Sequence, residues 1–174
     1  MFITIFFLVF ALILLFWQAS LIVSIIAGVP TVHSKNDVII KAYELAKLEK
    51  SQMVVDLGCG NARSLIIAAK KFKAKGIGVE ISPFYYLLSK INVWFSGEST
   101  NIKIIFGRFE KAERYLKSAD VVYLYLFDKV TDKIDRWLFD SIGEKTKVVS
   151  FGFKFTKHKP IALITNPTLY LYRK

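Results

Sequence analysis

Two carboxylates and two glycines carry most of the chemistry open to this chain. Asp56 closes the apolar, β-forming run Met53-Val54-Val55, and the segment Leu57-Gly58-Cys59-Gly60-Asn61-Ala62-Arg63 follows it. Glycine has no Cβ, so the backbone there can turn sharply and let a ligand come close. A carboxylate at the end of a strand can accept hydrogen bonds from a bound amine or hydroxyl. Glu80 ends a second run, Gly76-Ile77-Gly78-Val79, and an acid in that place can take both hydroxyls of a ribose. Together the two strand ends predict one site for a nucleotide-like ligand. The dinucleotide fingerprint Gly-x-Gly-x-x-Gly fits less well, because it needs glycine where Arg63 stands.

At these residues the chain resembles the class I S-adenosylmethionine-dependent methyltransferases. Their acid followed by Gly-x-Gly matches Asp56, Gly58 and Gly60, and their ribose-binding acid matches Glu80. Over nearly its whole length the chain is similar to the small membrane-anchored protein-lysine methyltransferases. The matching features are an apolar span, Val29-Pro30-Thr31, a capped helix, the glycine segment, Ala68-Ala69, and Gly78-Val79-Glu80-Ile81-Ser82-Pro83. That family includes the mitochondrial enzymes that modify the ATP synthase c subunit and the adenine nucleotide translocase, with bacterial and archaeal relatives. The resemblance implies S-adenosylmethionine as cofactor, bound by Pro30, Thr31, Asp56, Gly58, Cys59, Gly60, Asn61, Arg63, Glu80, Ile81, Arg108 and Phe109. Two departures stand out. Ala62 occupies the place of a usual third glycine, which alanine tolerates unless the backbone there has positive φ. Arg108 stands where an acid usually holds the adenine amine, so that contact falls to a backbone carbonyl, to Glu110, or to nothing.

For the acceptor side, the run Tyr123-Leu124-Tyr125-Leu126-Phe127-Asp128 places Phe127 and Asp128 at the carboxyl end of a strand, where open α/β sheets bind ligands. Asp128 is read either as an acceptor-side carboxylate or as the N-cap of the next helix. Phe127 and the alternating Phe151, Phe153 and Phe155 either line an acceptor channel or belong to the core. An Asn-Pro-Pro-Tyr type motif, used by enzymes that methylate amino groups of nucleic acids, is absent. Cys59 is the single cysteine, which excludes an internal disulfide. No histidine partner lies near it in sequence, so a small residue in a glycine loop is the simpler reading than a nucleophile. His33 and His158 have no partners at ligand spacing, and no metal site is expected.

The elements that must hold these residues alternate. Strands are predicted over 53–56, 76–80, 102–106, 120–127 and 147–153, with helices over 63–72, 83–95 and 130–142. Segments 161–165 and 169–172 flank Asn166-Pro167-Thr168 as a closing hairpin. Before them, Ser34 or Asn36 is expected to cap a helix over 37–48. This order predicts an α/β fold, doubly wound around a mostly parallel seven-stranded sheet of the methyltransferase, Rossmann-like type.

Composition divides the chain further. The 174 residues carry a net charge of +11, yet residues 1–34 contain no Asp, Glu, Lys or Arg. The run 2–27 would reach roughly 39 Å as a helix, and a bilayer core of about 30 Å needs about 20 such residues. Its length and the lack of a basic n-region favour an uncleaved transmembrane anchor over a signal peptide. The expected organisation is an anchor over 1–28, a linker and helix over 29–50, and a methyltransferase domain over 51–174. Lys and Arg occur only after the span, which places the domain in the cytoplasm. The expected partners are the bilayer and a membrane protein offering a lysine. Nucleic acid is disfavoured, since no aromatic and basic signature of an RNA-binding module accompanies the lysines. Two other functions remain open: methylation of a lipid-soluble small molecule, and cofactor binding without chemistry.

Overall fold

A computed structural model of the chain describes residues 2–26 and 34–174. Pro30 and Thr31, assigned to the cofactor site above, and His33 lie outside the described residues.

The chain runs α1 (Phe2–Ile26), α2 (Asn36–Leu45), β1 (Met53–Leu57), α3 (Arg63–Phe72), β2 (Lys75–Glu80), α4 (Pro83–Ser96) and β3 (Ile102–Phe106). A short 3-10 turn (Phe109–Ala112) leads into α5 (Glu113–Leu116), then β4 (Val121–Leu124), α6 (Asp128–Ser141), β5 (Lys147–Phe151), β6 (Ala162–Thr165) and β7 (Thr168–Arg173). The seven strands form one sheet in the order β3-β2-β1-β4-β5-β7-β6. The first five are parallel, and β7 is antiparallel to both β5 and β6. This is the doubly wound architecture that the sequence pattern predicts.

The strands read as continuous apolar runs because both faces of the sheet are covered. Successive side chains of a strand point to opposite faces. Val54, Val121 and Tyr123 therefore join the core under α2 and α3, while Val55, Val122 and Leu124 join the core under α5 and α6. Asp56 lies in register with Val54, so its carboxylate points into the α2 and α3 layer. In that layer, Val38, Ile39, Ala42 and Tyr43 of α2 are buried.

Three local details differ from the sequence expectations. Neither Ser34 nor Asn36 caps α2; the N-cap position is Lys35, without a side-chain bond, and Ser34 Oγ instead bonds Tyr123 Oη at 2.9 Å. β4 ends at Leu124 rather than Phe127, and α6 starts two residues earlier than expected. The segment between β3 and β4 holds two four-residue helical turns, too short for any periodicity to announce.

Gly78 shows how the sheet admits the site. A Cβ at this position would lie 2.6 Å from Cys59 Sγ and 2.8 Å from Leu65 Cδ1, so glycine lets the loop after β1 settle directly on β2. Gly78→Ala is expected to cost about 1–3 kcal/mol by overpacking. Adding Cys59→Ala should return part of that loss. Chemical denaturation of the two variants beside the parent measures both effects.

Candidate functional site

The site forms where β1 and β2 end. Gly58 and Cys59 both donate backbone N–H bonds to Val79 O, at 2.9 and 3.0 Å, which docks the loop onto β2. Gly58 has φ +85° and Gly60 φ +53°, the left-handed conformations for which glycine is suited. Ala62 also has a positive φ of +62°, at the N-cap of α3. This is the condition under which alanine is strained, at a cost of about 1–2 kcal/mol. Asn61 Oδ1 accepts from Arg63 N at 3.3 Å, and its carbonyl accepts from Asn92 Nδ2 at 3.0 Å, which ties the loop to α4. Arg63 itself is exposed at the first turn of α3.

Glu80 is the hub. One carboxylate oxygen accepts from Gly60 N at 2.8 Å and the other from Ser82 N at 2.8 Å. Burial raises its pKa, and these backbone bonds oppose the rise. Asp56 is buried, accepts a bond from Ser64 Oγ, and has its pKa pushed up to about 7, chiefly by burial, with the Glu80 charge adding to the rise. Burial likewise pushes the Cys59 thiol up, with Asp56 and Glu80 contributing, so Cys59 stays a packed thiol rather than a thiolate nucleophile. Among the described residues neither carboxyl forms an ion pair.

Beside Glu80, Ile81, Arg108, Phe109 and Glu110 line a cavity of about 270 Å³ together with Val130, Lys133 and Ile134 of α6. Arg108 points outward, and its Nε lies 3.7 Å from a carboxylate oxygen of Glu110. An acid is thus present at the cavity, two residues later than the position where the resemblance expects one.

An aromatic wall stands next to the loop. Leu57 pairs with Leu124 and Leu124 with Ser150, so Tyr125, just past the end of β4, follows beside Phe151, the last residue of β5. The Tyr125 ring lies 4.2 Å from Phe151 and 6.3 Å from Phe153, and Phe127 lies 5.2 Å from Phe153. Phe155 is not part of this wall: it is buried against Phe139 and Tyr172 on the other side of the sheet. Asp128 is exposed at the first turn of α6. It is not the N-cap, which is Phe127, but its charge suits the positive end of the helix.

Sequence reasoning missed Ser20. Its hydroxyl lies 2.7 Å from Ser82 Oγ and accepts from Phe84 N at 2.8 Å, so α1 adds a bond to the first turn of α4, whose N-cap is Ser82 itself. Nothing in the apolar run distinguishes this serine from one bonded to its own helix, as Ser24 is to Ser20 O.

The residues present fit S-adenosylmethionine. Left-handed glycines give close backbone approach, two buried carboxyls that form no ion pair among the described residues suit a positively charged ligand, and Ile81 and Phe109 give the adjoining cavity apolar walls. Comparisons with known proteins agree. The family model described as ANTKMT methyltransferase domain matches residues 56–162. A protein-lysine N-methyltransferase from Saccharolobus islandicus (strain REY15A) is 31% identical over 156 residues, covering 86% of this chain and 96% of that protein. The solved structure of an RNA methyltransferase from Salinibacter ruber in complex with S-adenosyl-L-homocysteine superposes with a TM-score of 0.77 at 28% identity, covering 82% of this chain and 93% of that one. A precorrin-6y C5,15-methyltransferase from Geobacter metallireducens shares the fold, with a TM-score of 0.62 at 15% identity over 70% of this chain and 64% of that one.

Two predictions follow from the bonding around the carboxyls. Asp56 keeps its proton in the folded state up to about pH 7, whereas the unfolded chain releases it near the ordinary value of 3.8. Its contribution to stability is therefore full below about pH 4 and is lost as pH rises toward 7. In denaturation curves across that window, Asp56→Asn should remove a slope of up to about 1.4 kcal/mol per pH unit. Glu80, shifted in the same direction, retains its own share. Ser20→Ala leaves Phe84 N and Ser82 Oγ without this partner, at a cost of about 1–3 kcal/mol. Titration of the full chain should show weaker cofactor binding, restored by Ser20→Thr.

Proposed function

Because the chain belongs to the ANTKMT methyltransferase family and is an S-adenosylmethionine-dependent methyltransferase, we propose that it methylates lysine side chains of a protein held at a membrane by α1. The observation that carries the lysine reading is the aromatic wall of Tyr125, Phe127, Phe151 and Phe153 beside the glycine loop. The cofactor, when bound, supplies a methyl group on a sulfonium, open to in-line displacement. Alignment and the exclusion of water are the protein's main tasks. Glu80 holds the ribose hydroxyls, and the backbone of Gly58 and Gly60 accommodates the chain that carries the sulfonium. Asp56 serves the ligand's amine, Ile81 and Phe109 flank the adenine, and Glu110 replaces the acid missing at Arg108. Cys59 and Asn61 hold the loop in shape, the first by packing and the second through Asn92.

A lysine amine has a reference pKa of about 10.4 and must lose a proton before it can attack. The aromatic wall disfavours the charged form of an inserted lysine, and Asp128 at the rim receives the released proton on its way to water. The known relative named as a protein-lysine N-methyltransferase supports this acceptor. The membrane part of the reading rests on α1, whose residues from Phe2 to Ile25 are long and apolar enough to cross a bilayer. Every Lys and Arg lies after it, which supports a domain on the cytoplasmic side. A tether of this kind raises the effective concentration of acceptors in the same membrane. RNA is the second reading, favoured by the Salinibacter ruber neighbour and the net charge of +11.

The test is direct. The purified chain and methyl-labelled cofactor are incubated with membrane and soluble fractions of cells that lack the protein. The proposal expects label in methyllysine of membrane proteins. Label that survives protease and is lost to ribonuclease favours RNA, and label in the organic extract favours a small molecule. Glu80→Gln should weaken cofactor binding by roughly 10- to 100-fold, the worth of one charge-assisted hydrogen bond of about 1.5–3 kcal/mol. Calorimetry on a variant that keeps the parent's unfolding midpoint measures it. Unchanged affinity would show that the ribose lies elsewhere.

A further inference from the structure

Helix α4 buries one side and leaves the other apolar. Ser89 and Val93 face the sheet, while Leu87, Ile91, Trp94 and Phe95 are exposed, Trp94 by 68% and Phe95 by 75%. Together with Phe84 these residues recur every three or four positions, so they form a single stripe along the helix. Isolated exposed apolar residues are ordinary, but a continuous stripe that includes Trp and Phe marks an interaction surface.

The first member of the stripe touches α1. The Phe84 ring lies 6.3 Å from that of Phe16, and Ser20 accepts from Phe84 N at 2.8 Å. The stripe therefore continues the apolar surface of α1 onto the domain. Between Phe2 and Ser20 the helix rises about 27 Å, close to the bilayer core of about 30 Å, so Ser20 stands where hydrocarbon gives way to headgroups. α4 starts at that level. At its other end, Lys75, Lys90 and Lys103 line a groove shared with Trp94. An apolar face with aromatic residues and bordering lysines is the pattern of a helix lying in a membrane interface.

From this continuity we propose that the outer face of α4 lies in the bilayer interface beside the end of α1. Leu87, Ile91, Trp94 and Phe95 reach the acyl boundary, and Lys75, Lys90 and Lys103 meet anionic headgroups. The occupant is lipid because the stripe begins on the helix that crosses the bilayer, and the lysines at its far end complement an anionic surface. The domain is thus held at two points, which fixes its rotation about α1 and the height of the aromatic wall above the membrane. The inference rests on the reading of α1 as a span.

Three tryptophans make the two claims separable. One form of the full chain keeps only Trp94, through Trp17→Phe and Trp137→Phe, and another keeps only Trp17, through Trp94→Phe and Trp137→Phe. Each is reconstituted into phosphatidylcholine and phosphatidylglycerol vesicles with or without bromine on the acyl chains, after cofactor binding has confirmed that it is folded. The proposal expects brominated lipid to quench both forms, and Trp94 to be shielded from aqueous acrylamide. Quenching of Trp17 with Trp94 open to acrylamide overturns the interfacial helix and leaves the span standing. A Trp94 shielded from acrylamide but not quenched by bromine also overturns it, since protein then covers the face. Quenching of neither form overturns the reading of α1 itself.

Discussion

The carboxylate of Glu80 is the constraint on which the site depends. Burying an ionised acid is expensive unless it is hydrogen-bonded, and here each oxygen receives a backbone N–H from a different segment. One bond holds the glycine loop that follows β1, and the other holds the start of α4. Because β2 is paired on both sides, the carboxylate has little freedom, and so neither do the two segments it joins. Through Ser82 the network reaches Ser20 and α1. A single side chain thereby relates the loop, the helix after β2 and the N-terminal helix to one another.

Much of this was legible in the sequence because the parallel sheet leaves a strong record. Strands covered on both faces must be apolar throughout, so β3 could be bounded to the residue and β1 and β2 to within one. The acids at Asp56 and Glu80 stood out because they interrupt such runs. The misreadings arose where partners are distant in sequence. Ser34 preceded a helix, as a cap would, but its hydroxyl is taken by Tyr123 from the middle of the sheet. Phe155 continued the alternation of Phe151 and Phe153, but β5 ends at Phe151 and the chain then turns. Ser20 lies within the run that the sequence marks only as an apolar span, and only packing shows that its oxygen serves α4.

Ala62 illustrates a different limit. The loop geometry requires a left-handed residue at the start of α3, and the sequence places alanine there with its side chain fully buried. Strain of this sort persists only where the surroundings over-determine the conformation. Here Ala62 N donates to Cys59 O and Ala62 O accepts from Ile66 N, so bonds on both sides of the residue hold it in place.

Charge is divided in a way that bears on substrate choice. The interior of the site is acidic, with two buried carboxyls, while the chain as a whole carries +11. That net charge repels a cationic, lysine-bearing acceptor. Screening confines that repulsion to about 8 Å at physiological ionic strength. A basic enzyme that relied on free diffusion to reach cationic side chains would work against its own field. One held beside its acceptor does not depend on steering, because tethering supplies the encounter. In the proposed arrangement the surface charge acts toward anionic lipid instead. Under that proposal, the same lysines that would hinder a soluble lysine methyltransferase help to hold the domain against lipid.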